Sequence, residues 1–208
     1  VTSFEEPREG VALRELDRAM IAYASKVARE VIERYRDLDV YEPALKLYHL
    51  IWDVFASNYM EMVKARVYGK APFAEAEVKG AIHTLYRVLR LSLKLLSPIM
   101  PFTTDYVWRA LEGRTVSRER VTAEELDPCG GDPELMDRVV EVNSAVWRWK
   151  KERGMRLSDR VEAVLYVPEG LRGVAEDLKY FHNIREVVAG VPREWDYELG
   201  PGVYLRLG

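Results

Sequence analysis

The feature that most constrains this chain is an apolar corner between two predicted helices, at residues 93–111. Pro98 lacks an amide proton and its ring opposes a continuing helix, so the preceding helix should stop near Ser97. Either threonine at 103–104 can cap the next helix, and Asp105 would then lie in its first turn, where the helix dipole favours an acid. The tip is apolar where a solvated loop would be polar, so we expect the corner to be buried between helices. The tip residues are Ile99, Met100 and Phe102.

Around this corner, apolar residues recur every three or four positions in several long stretches, which predicts amphipathic helices. The second of these stretches is apolar around most of its circumference, so it should be the central helix of a bundle. The fifth begins with Asp132-Pro133-Glu134, the expected order of cap, first-position proline and first-turn acid. The predicted helices cover residues 16–38, 43–67, 78–97, 104–111 and 132–153.

The hydrophobic period changes from helical to two near residue 161, and this change indicates β-structure. We predict strands at 161–167, 184–189 and 203–207, with a short helix at 171–181. The predicted fold is therefore mainly α, a helical bundle followed by a small α/β subdomain. We divide it into a leader (1–12), the helical bundle (13–113), a turn-rich connector (114–131) and a C-terminal part of one helix plus the α/β subdomain (132–208).

The composition limits where and how such a protein works. A formal net charge of -3 excludes nucleic-acid binding by bulk basicity but permits a local basic face. Cys129 is the single cysteine, so no internal disulfide can form, and we expect a cytoplasmic protein without a membrane span. The chain contains no glutamine and only three asparagines, which suggests a thermophilic source, although genome base composition has the same effect. It starts at Val1, so we expect a piece of a longer protein or an unusual start codon.

Residue patterns that mark catalytic or cofactor sites are missing from the sequence. The three histidines, His49, His83 and His182, lie far apart, and none stands at a metal-ligand spacing from Cys, Asp or Glu. Cys129 has no histidine nearby in sequence. The Gly130-Gly131 pair lacks the Lys and Ser or Thr of a phosphate-binding loop and is better explained as a hinge. We predict no catalytic residue, no metal and no cofactor in this chain.

Two runs combine basic and aromatic residues near predicted helix ends, at residues 147–153 and 64–70. One explanation is a solvated helix end, where cations are favoured by the helix dipole. The other is a face that follows RNA phosphates and offers an aromatic platform to a base. Sequence pattern alone leaves both explanations open.

Three segments resemble one family in the right order. The run ALKLYHLIWDVFASNYMEMVKAR (44–66) is similar to the class I aminoacyl-tRNA synthetase pattern LYxFIWxxFCDWYIExxKxR. The run LLSPIMPFTTDYVWRAL (95–111) is similar to LLHPxMPFxTEEIWxxL, and residues 13–18 resemble the start of the same domain. Residues 134–168 and 178–186 look like the valyl type, particularly its archaeal ending, with the isoleucyl type next.

This resemblance implies an anticodon-binding helical bundle, and its implied partners are the tRNA anticodon stem-loop, tRNA-Val for the valyl type, and the synthetase's catalytic domain. The catalytic signatures HIGH and KMSKS have no counterpart here, so the chain alone should not activate an amino acid. The chain also departs from the family pattern: Ala19 stands where the family commonly has Trp or Phe, and Ser57-Asn58 stands where it commonly has Asp-Trp. A stand-alone paralogue acting in trans on tRNA, or a protein-interaction scaffold derived from this fold, therefore stays open.

The candidate RNA contacts follow from these motifs and runs. An asparagine can read a base edge, and the cations are candidates for phosphate contacts. The candidates are Arg14, Arg18, Asn58, Arg66, Arg148, Lys151 and Arg153.

Overall fold

The computed structural model of the chain describes Glu6, Pro7 and residues 9–208. It is mainly helical, with a small sheet at its C-terminal end, which confirms the predicted fold class. The helices are α1 (Glu15–Arg36), α2 (Tyr41–Tyr48), a π-helical segment (His49–Met60), α3 (Glu61–Val67), α4 (Glu75–Leu96), α5 (Pro101–Glu112), α6 (Glu134–Glu152) and α7 (Ala175–His182), with 3-10 turns at Val116–Arg118 and Glu169–Val174. The strands are β1 (Val161–Val167), β2 (Ile184–Ala189), β3 (Tyr197–Gly200) and β4 (Val203–Leu207).

The predicted second helix is one helical rod whose middle part is π-helical. The residues at both junctions, Tyr48 and Met60, keep right-handed helical dihedrals, so α2, the π segment and α3 run on without a break. The rod packs against α1, α4 and α6, as expected of a central helix. Inside the π segment, the Asn58 side chain donates a hydrogen bond of 2.8 Å to the carbonyl of Asp53, five residues earlier.

The corner after α4 has the predicted position but not the predicted burial. Helix α4 ends at Leu96, as the Ser-Pro break requires. Helix α5 begins at Pro101, three residues before Thr104, because proline is already suited to a first helical position. Asp105 therefore lies beyond the first turn, where it accepts hydrogen bonds from the Thr115 hydroxyl and the Val116 amide. The expected burial was wrong for two tip residues, since Met100 is 47% exposed and Phe102 is 90% exposed.

The C-terminal sheet has the order β2-β1-β4-β3. Strand β1 pairs in parallel with β2, through the crossover that contains α7, and antiparallel with β4. Alternate residues of β1 are buried, as the period of two predicts. Strand β3 was not predicted, because its four residues at 197–200 are too short to show a hydrophobic period.

One continuous hydrophobic core runs from α1 to the sheet, with Leu16 and Leu205 in the same cluster. The connector lies on the bundle, because Arg87 of α4 donates hydrogen bonds to the carbonyls of Glu124 and Asp127. Gly131 packs closely against α1, since an added Cβ there would come within 2.1 Å of the carbonyl oxygen of Arg18, and the hinge stays a prediction. Residues 1–5 and 8 of the predicted leader lie outside the described residues, and the predicted division into 13–113, 114–131 and 132–208 stays a prediction.

A buried ion pair joins α1 to α3. The side chains of Asp17 and Arg66 have no exposed surface, and Arg66 donates from Nη1 and Nη2 to the two carboxylate oxygens at 2.8 and 2.7 Å. The hydroxyl of Tyr59 donates to the same carboxylate at 2.7 Å. Burial acts to lower the pKa of Arg66, but the carboxylates of Asp17 and Asp177 outweigh burial and hold this pKa above its ordinary value.

Helix α7 joins this pair through Asp177, whose Oδ1 lies 3.5 Å from Nη2 of Arg66. Arg14 donates from Nε to the other oxygen of Asp177 at 3.2 Å, and from Nη1 to Glu77 of α4 at 2.6 Å. The ring of Phe73 lies under both guanidinium groups, with 4.7 Å from its centroid to Cζ of Arg14. We call Arg14, Asp17, Arg66 and Asp177 the ionic joint, because it connects the bundle to the α/β part.

A second buried connection is a polar chain made of Asn58, Asn143 and His182. Asn143 of α6 donates from Nδ2 to Oδ1 of Asn58 at 2.8 Å, so its own Oδ1 is left to accept from Nε2 of His182 at 2.9 Å. This assignment makes His182 the Nε2–H tautomer. Burial, together with the ammonium of Lys150, lowers the pKa of His182 to about 3. Lys150 is also buried, where it donates to the carbonyls of Leu157, Asp159 and His182 at 2.6–2.8 Å.

Substitution of Arg66 by methionine should destabilise the fold strongly, because it keeps the volume but leaves the buried carboxylate of Asp17 without its cation. We expect a loss of about 3–5 kcal/mol in the free energy of unfolding, measured by urea denaturation. The control is Arg109→Met, which removes an exposed ion pair to Asp105 and should cost less than about 1 kcal/mol. Equal losses in the two variants would contradict a structural role for the buried pair.

His182 should make the fold sensitive to mild acid. Its folded pKa of about 3 lies below the ordinary value of 6.5. As the pH falls below 6.5, His182 is protonated in the unfolded chain but stays neutral in the folded chain, which favours unfolding. The stabilisation is complete above pH 6.5 and is lost progressively toward pH 3. Between pH 7 and 5 the wild type should lose about 2 kcal/mol through this residue, a loss absent from His182→Gln. Urea titrations at both pH values measure this difference, and identical losses in the two proteins would refute it.

Candidate nucleic-acid interface

The two basic and aromatic runs, more than 70 residues apart in sequence, meet across one groove. Lys64, Ala65 and Lys70 come from the end of α3 and the turn after it, and Trp147 comes from α6. The groove has a volume of about 640 Å³, which is within the range of about 300–1,000 Å³ typical of small-ligand sites. We call it the aromatic groove; its lining residues are Trp52, Ala56, Ser57, Glu61, Lys64, Ala65, Lys70, Trp147, Leu157, Ser158, Tyr180 and Phe181.

Trp147, in the aromatic wall of this groove, packs against two rings of α7. The ring of Trp147 meets Phe181 edge to face with centroids 5.7 Å apart, and it meets the imidazole of His182 at 6.3 Å. His182 is itself fixed by the polar chain through Asn143. Trp52, on the π segment, lines the same groove and is 60% exposed. The groove therefore presents one supported indole and one freely exposed indole.

The charge of the groove is basic. Lys64 and Glu61, its one acidic lining residue among those described, form an ion pair at the groove. Lys70 is exposed, and within the part of the chain that the structure describes it has no ion pair. Lys151 lies one helical turn after Trp147, on the same face of α6, and is also exposed. Lysine ammonium groups therefore stand beside the aromatic wall.

The predicted contacts near the end of α6 face different directions. Arg148, Lys151 and Arg153 are all exposed. The guanidinium of Arg153 lies over the rings of Trp149 and Tyr197, 4.5 and 4.2 Å from their centroids, which is the sheet side of α6. Only Lys151 shares the Trp147 face, so the three cations do not form one patch.

The other four predicted contacts have structural explanations. Arg66 and Asn58 are buried, in the ionic joint and the polar chain, so either could reach RNA only if those bonds opened. Arg14 uses its guanidinium in the ionic joint, and Arg18 donates to the Leu13 carbonyl at 2.6 Å. The basic residues at these family motifs therefore already have partners within the chain. RNA contacts by these residues stay predictions that the packing does not favour.

Sequence reasoning missed the contribution of α7 to the groove. Tyr180 and Phe181 fell within the predicted short helix and the segment that resembles the valyl type, without a predicted role in a site, and the pairing of His182 with Asn143 had no sequence signal. The aromatic groove could be inferred only partly, from the composition of its two runs.

A second groove, between α4 and the connector, also contains many cations. Arg87 and Lys94 use their side chains to hold the connector, and Arg90 pairs with Glu6 and Glu112. In the described part of the chain, no cluster of His, Cys, Asp and Glu suits a metal ion. None of the described helices is both long and apolar enough for a membrane span.

Several known proteins similar to this chain are valine–tRNA ligases. The chain is 47% identical to a valine–tRNA ligase of Pyrobaculum aerophilum over 191 residues, which are 91% of this chain and 24% of that protein. It is 39% identical to the valine–tRNA ligase of Aeropyrum pernix over 97% of this chain, and 29% identical to that of Nanoarchaeum equitans over 86%. The chain thus spans about a quarter of the length of these relatives.

A family model described as the anticodon-binding domain of tRNA ligase matches residues 17–165, from the first turns of α1 to the middle of β1. This match contains the helical bundle from Asp17 onward, the corner after α4 and both basic and aromatic runs. The chain therefore belongs to the family of anticodon-binding domains of tRNA ligases.

Proposed function

We propose that this chain binds the anticodon stem-loop of tRNA, as the C-terminal part of a valine–tRNA ligase. The observation that carries the proposal is the family match over residues 17–165. Valine is favoured over isoleucine because the relatives described above are valine–tRNA ligases. The proposed partner is tRNA-Val, and the catalytic domain of a ligase, in cis or in trans, would activate the amino acid.

The proposed RNA surface is the side of the molecule that carries the aromatic groove and the exposed end of α6. Phosphate contacts fix the position of a bound RNA, and exposed lysine and arginine side chains provide them. Lys151 is exposed on the Trp147 face of α6, beside the groove, and Arg148 is exposed at the same end of α6 on a different face. Bases splayed from a loop can then stack on aromatic rings, which is the common mode of single-stranded RNA recognition.

A second candidate function is protein interaction, and one observation favours it. Large apolar side chains are exposed along α2, the π segment and the corner after α4, where Tyr41 is 75%, Tyr48 61% and Phe102 90% exposed. Tyr48, Trp52 and Met100 line one groove, so part of this apolar surface is contiguous, as is typical of interfaces. This surface is suited to the catalytic domain of a ligase, or to another protein if the chain is a stand-alone paralogue.

Filter binding of the 208-residue chain to labelled tRNA-Val over a series of salt concentrations tests the proposal. We expect binding at low salt, and the pair Arg148→Ala and Lys151→Ala should weaken it because phosphate contacts are lost. The slope of log affinity against log salt should fall by about 0.9 for each duplex phosphate contact removed.

The matched control removes the same charge elsewhere, through Arg36→Ala and Arg206→Ala, two exposed arginines on α1 and β4. It should leave the slope close to that of the wild type. An unchanged slope in the Arg148 and Lys151 variant would refute this surface. Absence of any tRNA binding at low salt would refute both tRNA functions and leave protein interaction.

A further inference from the structure

We propose that the aromatic groove is a binding site for one unpaired nucleotide, whose base stacks on Trp147 while its flanking phosphates lie at Lys64 and Lys70. This inference rests on the proposed function and deepens it, because it assigns a nucleotide subsite to residues outside the seven contacts predicted from sequence. It also gives a role to the buried polar chain, which the proposed function alone does not explain.

The first argument is that Trp147 is ordered before any ligand arrives. Its ring is supported by Phe181 and His182, with centroids 5.7 and 6.3 Å away, and His182 is bonded to Asn143 at 2.9 Å. A side chain that is already immobile loses little conformational entropy when a base stacks on it. Little of the free energy of stacking on Trp147 is therefore spent on ordering its side chain. Such stacking accepts any base, because every base has a π-face.

The second argument is the division of chemistry between the two walls. The cations Lys64 and Lys70 come from α3 and its following turn, whereas Trp147 comes from α6. A nucleotide has the same division, with the flat stacking faces of its base on one side and an anionic backbone on the other. A peptide that filled an aromatic groove would not require cations at its edge, so the charge favours a nucleotide as the occupant.

The third argument is the space between the walls. Ala56 and Ala65 line the groove with methyl groups only, which leaves room for a base beside the indole of Trp147. Ser57 and Ser158 also line it, and a serine hydroxyl can donate or accept hydrogen bonds at a base edge. A narrow hydrophobic crevice without such groups would suit an aliphatic side chain better.

The test measures binding of the full 208-residue chain to the anticodon stem-loop RNA of tRNA-Val by fluorescence anisotropy. Trp147→Leu should weaken binding roughly tenfold and leave the salt slope unchanged, because it removes stacking and no charge. The pair Lys64→Ala and Lys70→Ala should lower the slope by roughly 1.4, or about 0.7 for each single-stranded phosphate contact. The control Trp195→Leu removes another partly exposed indole, on the sheet side, and should bind like the wild type.

Because Trp147→Leu could disturb packing on Phe181, a second variant blocks the groove without removing any of its contacts. Ala65→Leu, on helix α3, fills the space with a residue of good helix propensity and should give a similar loss of affinity with unchanged thermal unfolding. Stem-loops with a single abasic position, tested in turn, then locate the nucleotide. At that position alone, the loss of binding free energy from the abasic change and the loss from Trp147→Leu should not add when the two changes are combined.

The outcomes separate the two proposals. If the wild type binds the stem-loop but Trp147→Leu and Ala65→Leu bind equally well, the nucleotide subsite is refuted and the proposed function stands. If the losses do not depend on any single loop nucleotide, the groove does not hold one base and the subsite is refuted as well. If the wild type does not bind the stem-loop at low salt, the proposed function itself fails.

Discussion

The buried ion pair between Asp17 and Arg66 is the interaction on which the rest of this structure depends. Both side chains have lost all contact with water, a change that is unfavourable for charged groups unless geometry and further hydrogen bonds compensate for it. Two hydrogen bonds to one carboxylate, with a third from Tyr59, supply this compensation. Because Asp177 and Arg14 extend the pair to α7 and α4, the position of the α/β part is set by charges inside the bundle.

The polar chain from Asn58 through Asn143 to His182 fixes the positions of the elements that form the aromatic groove. Each of its members belongs to a different element, and each of those elements contributes residues to the groove wall. Each side-chain amide in this chain donates a hydrogen bond through its NH2 group and accepts one through its oxygen, so the order of donors and acceptors is fixed. Specific hydrogen bonds therefore select one mutual arrangement of the π segment, α6 and α7, where apolar contacts alone would allow several.

The basic residues of this family member divide into two groups with different roles. Those at the resembling motifs, Arg14 and Arg66, are used to hold elements together, while those at helix ends and turns, such as Lys70 and Lys151, are exposed. Arginine suits the first group because its planar guanidinium bonds several oxygens at once. Lysine at an exposed edge suits contact with a mobile backbone. A net charge of -3 is compatible with RNA binding when exposed cations such as Lys70 and Lys151 lie beside the binding surface.

The sequence by itself determined the helices, three of the four strands and the family. Periodicity reports which face of an element is apolar, and the Ser-Pro break at the corner acts locally through the missing amide of Pro98. Burial of that corner, by contrast, could not be read from its composition, since Phe102 is apolar and 90% exposed. Only the tertiary structure decided that Arg66 is buried and that Lys64 and Trp147 share a groove. The physical reason is that the partners lie far apart in sequence, 49 residues for Asp17 and Arg66 and 85 for Asn58 and Asn143, where no local pattern reports a contact.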